Sequence, residues 1–145
     1  MSESTGCYPL VHADAAGDGV VSHGGAVLLL ETIRAAGLDR GLSRALAPWK
    51  RPTAVHDPAK IVCDLAVSLA VGGDCLADIA VLREAPAVFG LVASDPTVSR
   101  LVDTLAADAA KALAAIDAAR AAARRRVWHR AGVHARTTGP TIVAR

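Results

Sequence analysis

Apolar residues recur at helical rather than alternating spacing through most of this chain. Val27, Leu30 and Ile33 lie on one face of a stretch that the pattern predicts as helical from about Gly24 to Ala36, with Gly37 as its stop. Asp39 opens a shorter helix carrying Leu42 and Leu46 four apart, which ends at Pro48. Trp49 to His56, with Pro52 inside it, reads as a loop. Asp57-Pro58 then pairs an N-cap with proline at the first helical position, where its missing donor costs nothing, and the helix runs on to Gly72-Gly73. Lys60, Asp64 and Ser68 fall on one stripe of it while Ile61, Val62, Leu65, Val67 and Leu69 cover the rest. A helix with so few polar positions is packed on most sides, which predicts it as the centre of the fold.

Asp74 is placed to cap a helix through Leu76, Ile79, Leu82 and Arg83, and Ala85-Pro86 starts a short segment ending near Phe89-Gly90. Ser94-Asp95-Pro96 repeats the cap-then-proline signal and opens a helix through Leu105. From about Asp108 an alanine-rich pattern continues to Arg130 as the longest helix, with Gly132 as its expected end and an irregular tail beyond. At the other terminus, β-like pieces at Tyr8–Ala13 and Gly19–Val21 flank turn-forming residues 14–19, which fits a short hairpin. The expected fold is therefore mainly α: an Ala-rich multi-helix bundle with a small N-terminal β-hairpin. The expected organisation is an arm or hairpin over 1–21, a helical domain over 22–131 and an irregular tail over 132–145.

Composition supports the helical reading. Of 145 residues 52% are hydrophobic, yet Tyr8, Trp49, Phe89 and Trp128 are the only aromatics, so Ala, Val and Leu supply the apolar mass. Charged residues interrupt every apolar run well short of the roughly 18 to 20 residues that span a bilayer, which excludes a membrane span, and no membrane partner is expected. The N-terminus lacks a basic segment leading into an apolar one, so the expected compartment is the cytoplasm. Cys7, Cys63 and Cys75 are odd in number and not at metal-ligand spacing, which predicts incidental thiols rather than disulfides or a zinc knuckle.

The formal net charge of +2 hides an asymmetry: residues 1–119 carry nine cationic and fourteen anionic side chains, whereas residues 120–145 carry seven arginines and no acid. Arg120, Arg124, Arg125, Arg126 and Arg130 sit where cations stabilise the negative end of a helix dipole. Arg124 to Arg126 also span about 200° of helix surface, too much for one packing face, and suit contact with a phosphate backbone.

Gly73 to Leu105 reads as a helix, a short helix, a capped turn and a helix whose first exposed positions are Thr97, Ser99 and Arg100, an order resembling helix-turn-helix. A helix N-terminus presents free N–H groups to phosphate, hydroxyls reach backbone oxygens, and Arg100 would read guanine edges. An ordinary bundle in which Ser-Asp-Pro is only a good cap would show the same pattern. The connection between the two helices is a little longer than in a standard repressor, and Asp95 and Asp103 would repel phosphate unless turned away or paired. Catalytic motifs are absent: no Gly-x-Ser-x-Gly, His-Glu-x-x-His or phosphate-binding glycine loop occurs.

Ser22-His23-Gly24-Gly25-Ala26-Val27-Leu28-Leu29, Ala45-Leu46-Ala47-Pro48-Trp49, His56-Asp57-Pro58-Ala59-Lys60-Ile61, Gly72-Gly73-Asp74-Cys75-Leu76-Ala77-Asp78-Ile79-Ala80 and Ser94-Asp95-Pro96-Thr97-Val98-Ser99-Arg100 together resemble the N-terminal region of bacterial insertion-sequence D-D-E transposases of the thirteen-eighty group. The resemblance covers roughly residues 19–130 in unchanged order. It implies a helical region that binds double-stranded DNA at transposon ends, ahead of a ribonuclease-H-like core whose three carboxylates hold two magnesium ions. Thr141-Ile142-Val143 resembles the start of the strand that precedes the first family aspartate, and the sequence ends at Arg145, so no family carboxylate is carried onto this chain. The expectation is a transposase fragment without catalysis and without a cofactor of its own, binding DNA through Thr97, Ser99, Arg100, Arg124, Arg125 and Arg126. The alternatives are a non-functional remnant and a regulator of its own element that pairs with full-length transposase.

Overall fold

The computed structural model describes residues 7–11 and 24–138. Among them are seven α-helices and no strand: α1 Ala26–Ala36, α2 Leu38–Ala45, α3 Pro58–Ala70, α4 Ala80–Arg83, α5 Pro86–Phe89, α6 Asp95–Ala106 and α7 Ala109–Thr138. A 3-10 turn at Ala47–Trp49 follows α2, and another at Leu76–Ile79 runs straight into α4. The mainly helical expectation holds.

The local signals explain most boundaries. Asp57 caps α3, its carboxylate accepting the Ala59 N–H at 2.8 Å, with Pro58 in the first turn. Gly37 closes α1 at φ +66°, a left-handed conformation that glycine adopts without a Cβ penalty, and α2 starts at the next residue. Asp74 does not cap the following helix as expected. Instead Asp78, from inside the turn, accepts the Asp74 and Cys75 N–H groups at 2.8 and 2.9 Å. These donors hold its carboxyl below the usual aspartate range.

Two expectations at the chain ends need correction. Gly132 does not end the long helix, which continues to Thr138. A glycine costs about 1 kcal/mol against alanine inside a helix, and with no left-handed turn at Gly132 that is too little to stop a helix already many turns long. Residues 7–11 form no strand. The rest of the expected hairpin, through Gly19–Val21, lies outside the described residues, as do residues 139–145 of the expected tail.

Helix α3 is central, but with its polar stripe turned inward. Lys60, Asp64 and Ser68 are buried, while Leu69 on the opposite side is 59% exposed. Lys60 Nζ donates to both Asp64 oxygens at 2.6 Å, and the Tyr8 hydroxyl donates to Asp64 Oδ1 at 2.9 Å. The ammonium also lies 4.4 Å from the Tyr8 ring centroid. Residues 7–11 therefore follow a polar anchor rather than a sheet, and Arg34 on α1 secures it by donating to the Tyr8 and Pro9 carbonyls at 3.1 and 2.9 Å.

Around α3 the core gathers Leu30, Leu42, Ile61, Val67, Ile79, Leu82, Phe89, Val98 and Leu101. Helix α7 joins it through Ala112, Ile116, Ala119 and Ala123, spaced four, three and four apart. Small residues let α2 approach α7 closely: a Cβ at Gly41 would stand 3.8 Å from that of Ala119. Alanine is therefore a packing choice as well as a helix former. No helix among the described residues is long and apolar enough to cross a membrane.

Candidate nucleic-acid interface

The N-terminal half of α6 presents two of the three expected contact residues to one cleft. Successive residues turn by about 100°, so Thr97, Arg100, Leu101 and Thr104 fall on one side of the helix and Ser99 on another. Thr97, Arg100, Leu101 and Thr104 line a cleft of about 400 Å³ whose opposite wall is the loop from Trp49 to His56. Ser99 is exposed but outside it.

The α6 start is ordered from within. Ser94 occupies the N-cap position, and its carbonyl accepts the Thr97 and Val98 N–H groups at 2.8 and 3.0 Å. Its hydroxyl pairs with Thr97 Oγ1 at 3.1 Å, and Arg100 Nη2 donates to the same Thr97 oxygen at 3.0 Å. That contact uses one of five guanidinium donors and leaves the charge uncompensated. Asp95 is neutralised by Arg83, whose Nη2 donates to it at 2.9 Å while Nη1 donates to the Ala93 carbonyl at 2.9 Å. Asp103 sits on the Ser99 side of α6, away from the cleft.

The loop contributes residues that the sequence pattern left unassigned. Lys50, Arg51 and His56 line the cleft, and no acid does. Asp57 sets the loop's far end: besides capping α3, it accepts from Ser43 Oγ at 2.9 Å and Lys50 Nζ at 3.4 Å. Arg51 is exposed and has no carboxylate partner among the described residues. The available signal was a basic doublet next to a tryptophan between two helices. Trp49, Val55, Ile61 and Leu101 add apolar lining, so the cleft pairs cations with surfaces suited to sugars and base edges.

The arginines of α7 divide by direction. Arg126 donates to the Ala36 and Gly37 carbonyls at 3.3 and 3.4 Å, and Arg130 to the Ala35 carbonyl at 2.7 Å, so both cap the C-terminal end of α1. Arg124 and Arg125 are exposed, with no carboxylate partner among the described residues. Arg125 lines a shallow groove with Arg126, His129 and Arg130. This groove is separate from the α6 cleft, and Arg126 lies roughly 25 Å along the axis of α7 from its start near α6.

Burial perturbs two thiols and one carboxylate of the core. Burial pushes the Cys7 and Cys63 thiols up to about 11 and about 12, so both stay protonated near neutrality. Desolvation likewise raises the Asp64 carboxyl, against the opposing pull of Lys60 and the Tyr8 hydroxyl. Among the described residues, the one group able to converge on a cation is Asp74, Cys75 and Asp78. It combines a thiol with a carboxylate already accepting two backbone N–H groups, a poor set for magnesium, which prefers oxygen ligands, and not the carboxylate cluster that two-metal chemistry needs.

No curated protein and no solved structure matches this chain. Residues 3–134 match the family described as transposase DDE domain group 1, nearly the whole length and beyond the roughly 19–130 on which the resemblance rests. The chain belongs to that transposase family.

Proposed function

We propose that this chain is a DNA-binding module of an insertion-sequence transposase of the thirteen-eighty group, that it engages transposon ends in a helix-turn-helix-like manner, and that it performs no strand cleavage of its own. The observation that carries the reading is the convergence of Thr97 and Arg100 on α6 with Lys50, Arg51 and His56 of the preceding loop in one acid-free cleft. In this reading α6 meets base edges, Arg100 reads guanine and the loop holds the flanking phosphates. The pairing of Asp95 with Arg83 removes the repulsion that an acid at the α6 N-terminus would otherwise exert.

Fluorescence anisotropy with a duplex of the element's terminal inverted repeat and a shuffled duplex, over a range of salt, tests the reading. Each neutralised phosphate steepens the log–log salt slope by about 0.9, so Lys50, Arg51 and Arg100 together supply about −2.7. Arg100→Lys keeps the charge but loses the bidentate fork. It should cost about 1 to 3 kcal/mol of discrimination, roughly a 5- to 150-fold fall in preference for the repeat, with the slope unchanged. Equal affinity of the unaltered protein for both duplexes would refute it. Magnesium-dependent nicking by the purified chain would refute the non-catalytic part.

A further inference from the structure

A second cationic cleft, of about 260 Å³, lies between α2 and α7 and is lined by Ala35, Gly37, Arg40, Arg44, Arg126 and Arg130. Four guanidinium groups meet there and no acid does. Capping of α1 accounts for Arg126 and Arg130, which reach the carbonyls of residues 35–37. It does not account for Arg40 and Arg44. These stand one turn apart on the exposed side of α2, with no carbonyl or carboxylate partner among the described residues, while Asp39 beside them faces the core.

Like charges gathered without a counter-ion repel one another and weaken the fold unless something anionic binds them. The α1 carbonyls fix the Arg126 and Arg130 guanidiniums while engaging only part of each donor set, so N–H groups remain for a ligand. The chain also joins this cleft to the one at α6. Arg40 and Arg44 lead through the Ala47–Trp49 turn directly into Lys50 and Arg51, so residues 40–51 deliver cations to both clefts.

We propose that the α2–α7 cleft is a second contact with the phosphate backbone of the duplex read at α6. The inference rests on the DNA-binding reading above and extends the footprint to a surface on which no base is read. Arginine suits the task because its planar fork matches phosphate oxygens in pairs. A backbone contact should add affinity for every sequence alike and steepen the salt dependence without altering preference.

The test is the double variant Arg40→Gln/Arg44→Gln, both exposed positions, with circular dichroism to confirm an unchanged fold. Its log–log salt slope should be shallower than that of the unaltered protein by about 1.8, with the ratio of affinities for inverted-repeat and shuffled duplexes unchanged. Arg40→Glu/Arg44→Glu should weaken binding further at low salt. An unchanged slope and affinity in both double variants, while Arg100→Lys still erases preference, would overturn the second contact and leave the α6 reading standing. A fall in sequence preference in the glutamine variant would also overturn it, since the cleft would then be reading bases. Absence of duplex binding by the unaltered protein would overturn both.

Discussion

Replacing Lys60 by Met removes the one ion-pair partner that Asp64 has among the described residues. Asp64 is fully buried, and the Lys60 side chain is only 8% exposed. Lys60 makes two of the three hydrogen bonds to that carboxylate, both at 2.6 Å, and the Tyr8 hydroxyl makes the third. Breaking a buried pair by removing one partner typically costs about 3 to 5 kcal/mol. In a domain of this size, with stability of order 5 to 15 kcal/mol and a melting shift of about 2 to 4 °C per kcal/mol, that lowers Tm by roughly 6 to 20 °C. Urea denaturation followed by circular dichroism at pH 7 reads the loss. Lys60→Met/Asp64→Leu/Tyr8→Phe, which removes both charges and the hydroxyl that donates to Asp64, should recover most of it.

The pH dependence supplies a second readout. Burial already raises the Asp64 carboxyl, and loss of Lys60 raises it further, so the folded state binds the proton more tightly than the unfolded chain does. The penalty in Lys60→Met is therefore present at neutral pH and fades as acidification takes Asp64 through its folded-state value toward 3.8. A loss below about 1 kcal/mol, or one that does not change with pH, would show that the pair is hydrated and that our account of the N-terminal anchor is wrong.

Two further perturbations probe the joints of the fold. Gly37→Ala forces a non-glycine residue into φ +66° and drives a Cβ into the Arg126 guanidinium. It should cost at least about 1 to 2 kcal/mol by urea denaturation, and Arg126→Ala in the same chain should relieve the steric part. Asp57→Ala removes the α3 cap together with the acceptor for Ser43 and Lys50, so it should destabilise by roughly 0.5 to 2 kcal/mol and weaken duplex binding through a loosened loop. Stability lost with duplex affinity unchanged would separate the cap from the cleft.

What could be read in advance divides by range. Helix starts at Pro58 and Asp95 and the stop at Gly37 rest on signals within four residues of the boundary, so local chemistry announces them. The inward turn of Lys60, Asp64 and Ser68 depends on Tyr8, 56 residues from Asp64, and no helical periodicity contains that contact. Gly132 misled because a lone glycine signals an end only when the turn beyond it is left-handed. Thr97 and Arg100 were legible as the first turns of a helix behind Ser94-Asp95-Pro96, although the Ser94 hydroxyl pairs with Thr97 Oγ1 rather than capping a backbone N–H. Lys50 and Arg51 were not, because a loop has no period and they join the site only where the loop faces α6 across the cleft. The capping contacts of Arg126 were not legible either, because the carbonyls of residues 36 and 37 that it reaches lie 90 and 89 residues away in sequence.

The near-neutral total charge understates what the folded surface offers to DNA. The acids are largely occupied where they stand: Glu31 by Arg34, Asp57 by the α3 cap and Lys50, Asp64 by Lys60, Asp78 by backbone N–H groups, Asp95 by Arg83, Asp108 by Lys111 and Asp117 by Arg120. The cations left without a carboxylate among the described residues include Arg40, Arg44, Arg51, Arg100, Arg124 and Arg125, all exposed. Two of these line the α6 cleft, two the α2–α7 cleft and one the groove along α7. Asp39, Asp74, Glu84 and Asp103 also stand without an ion-pair partner among the described residues, but none of them lines either cleft or the groove, so it is the unpaired arginines that a polyanion meets there. Association governed by that set should weaken steeply with salt, even though a net charge of +2 alone would predict almost no salt dependence.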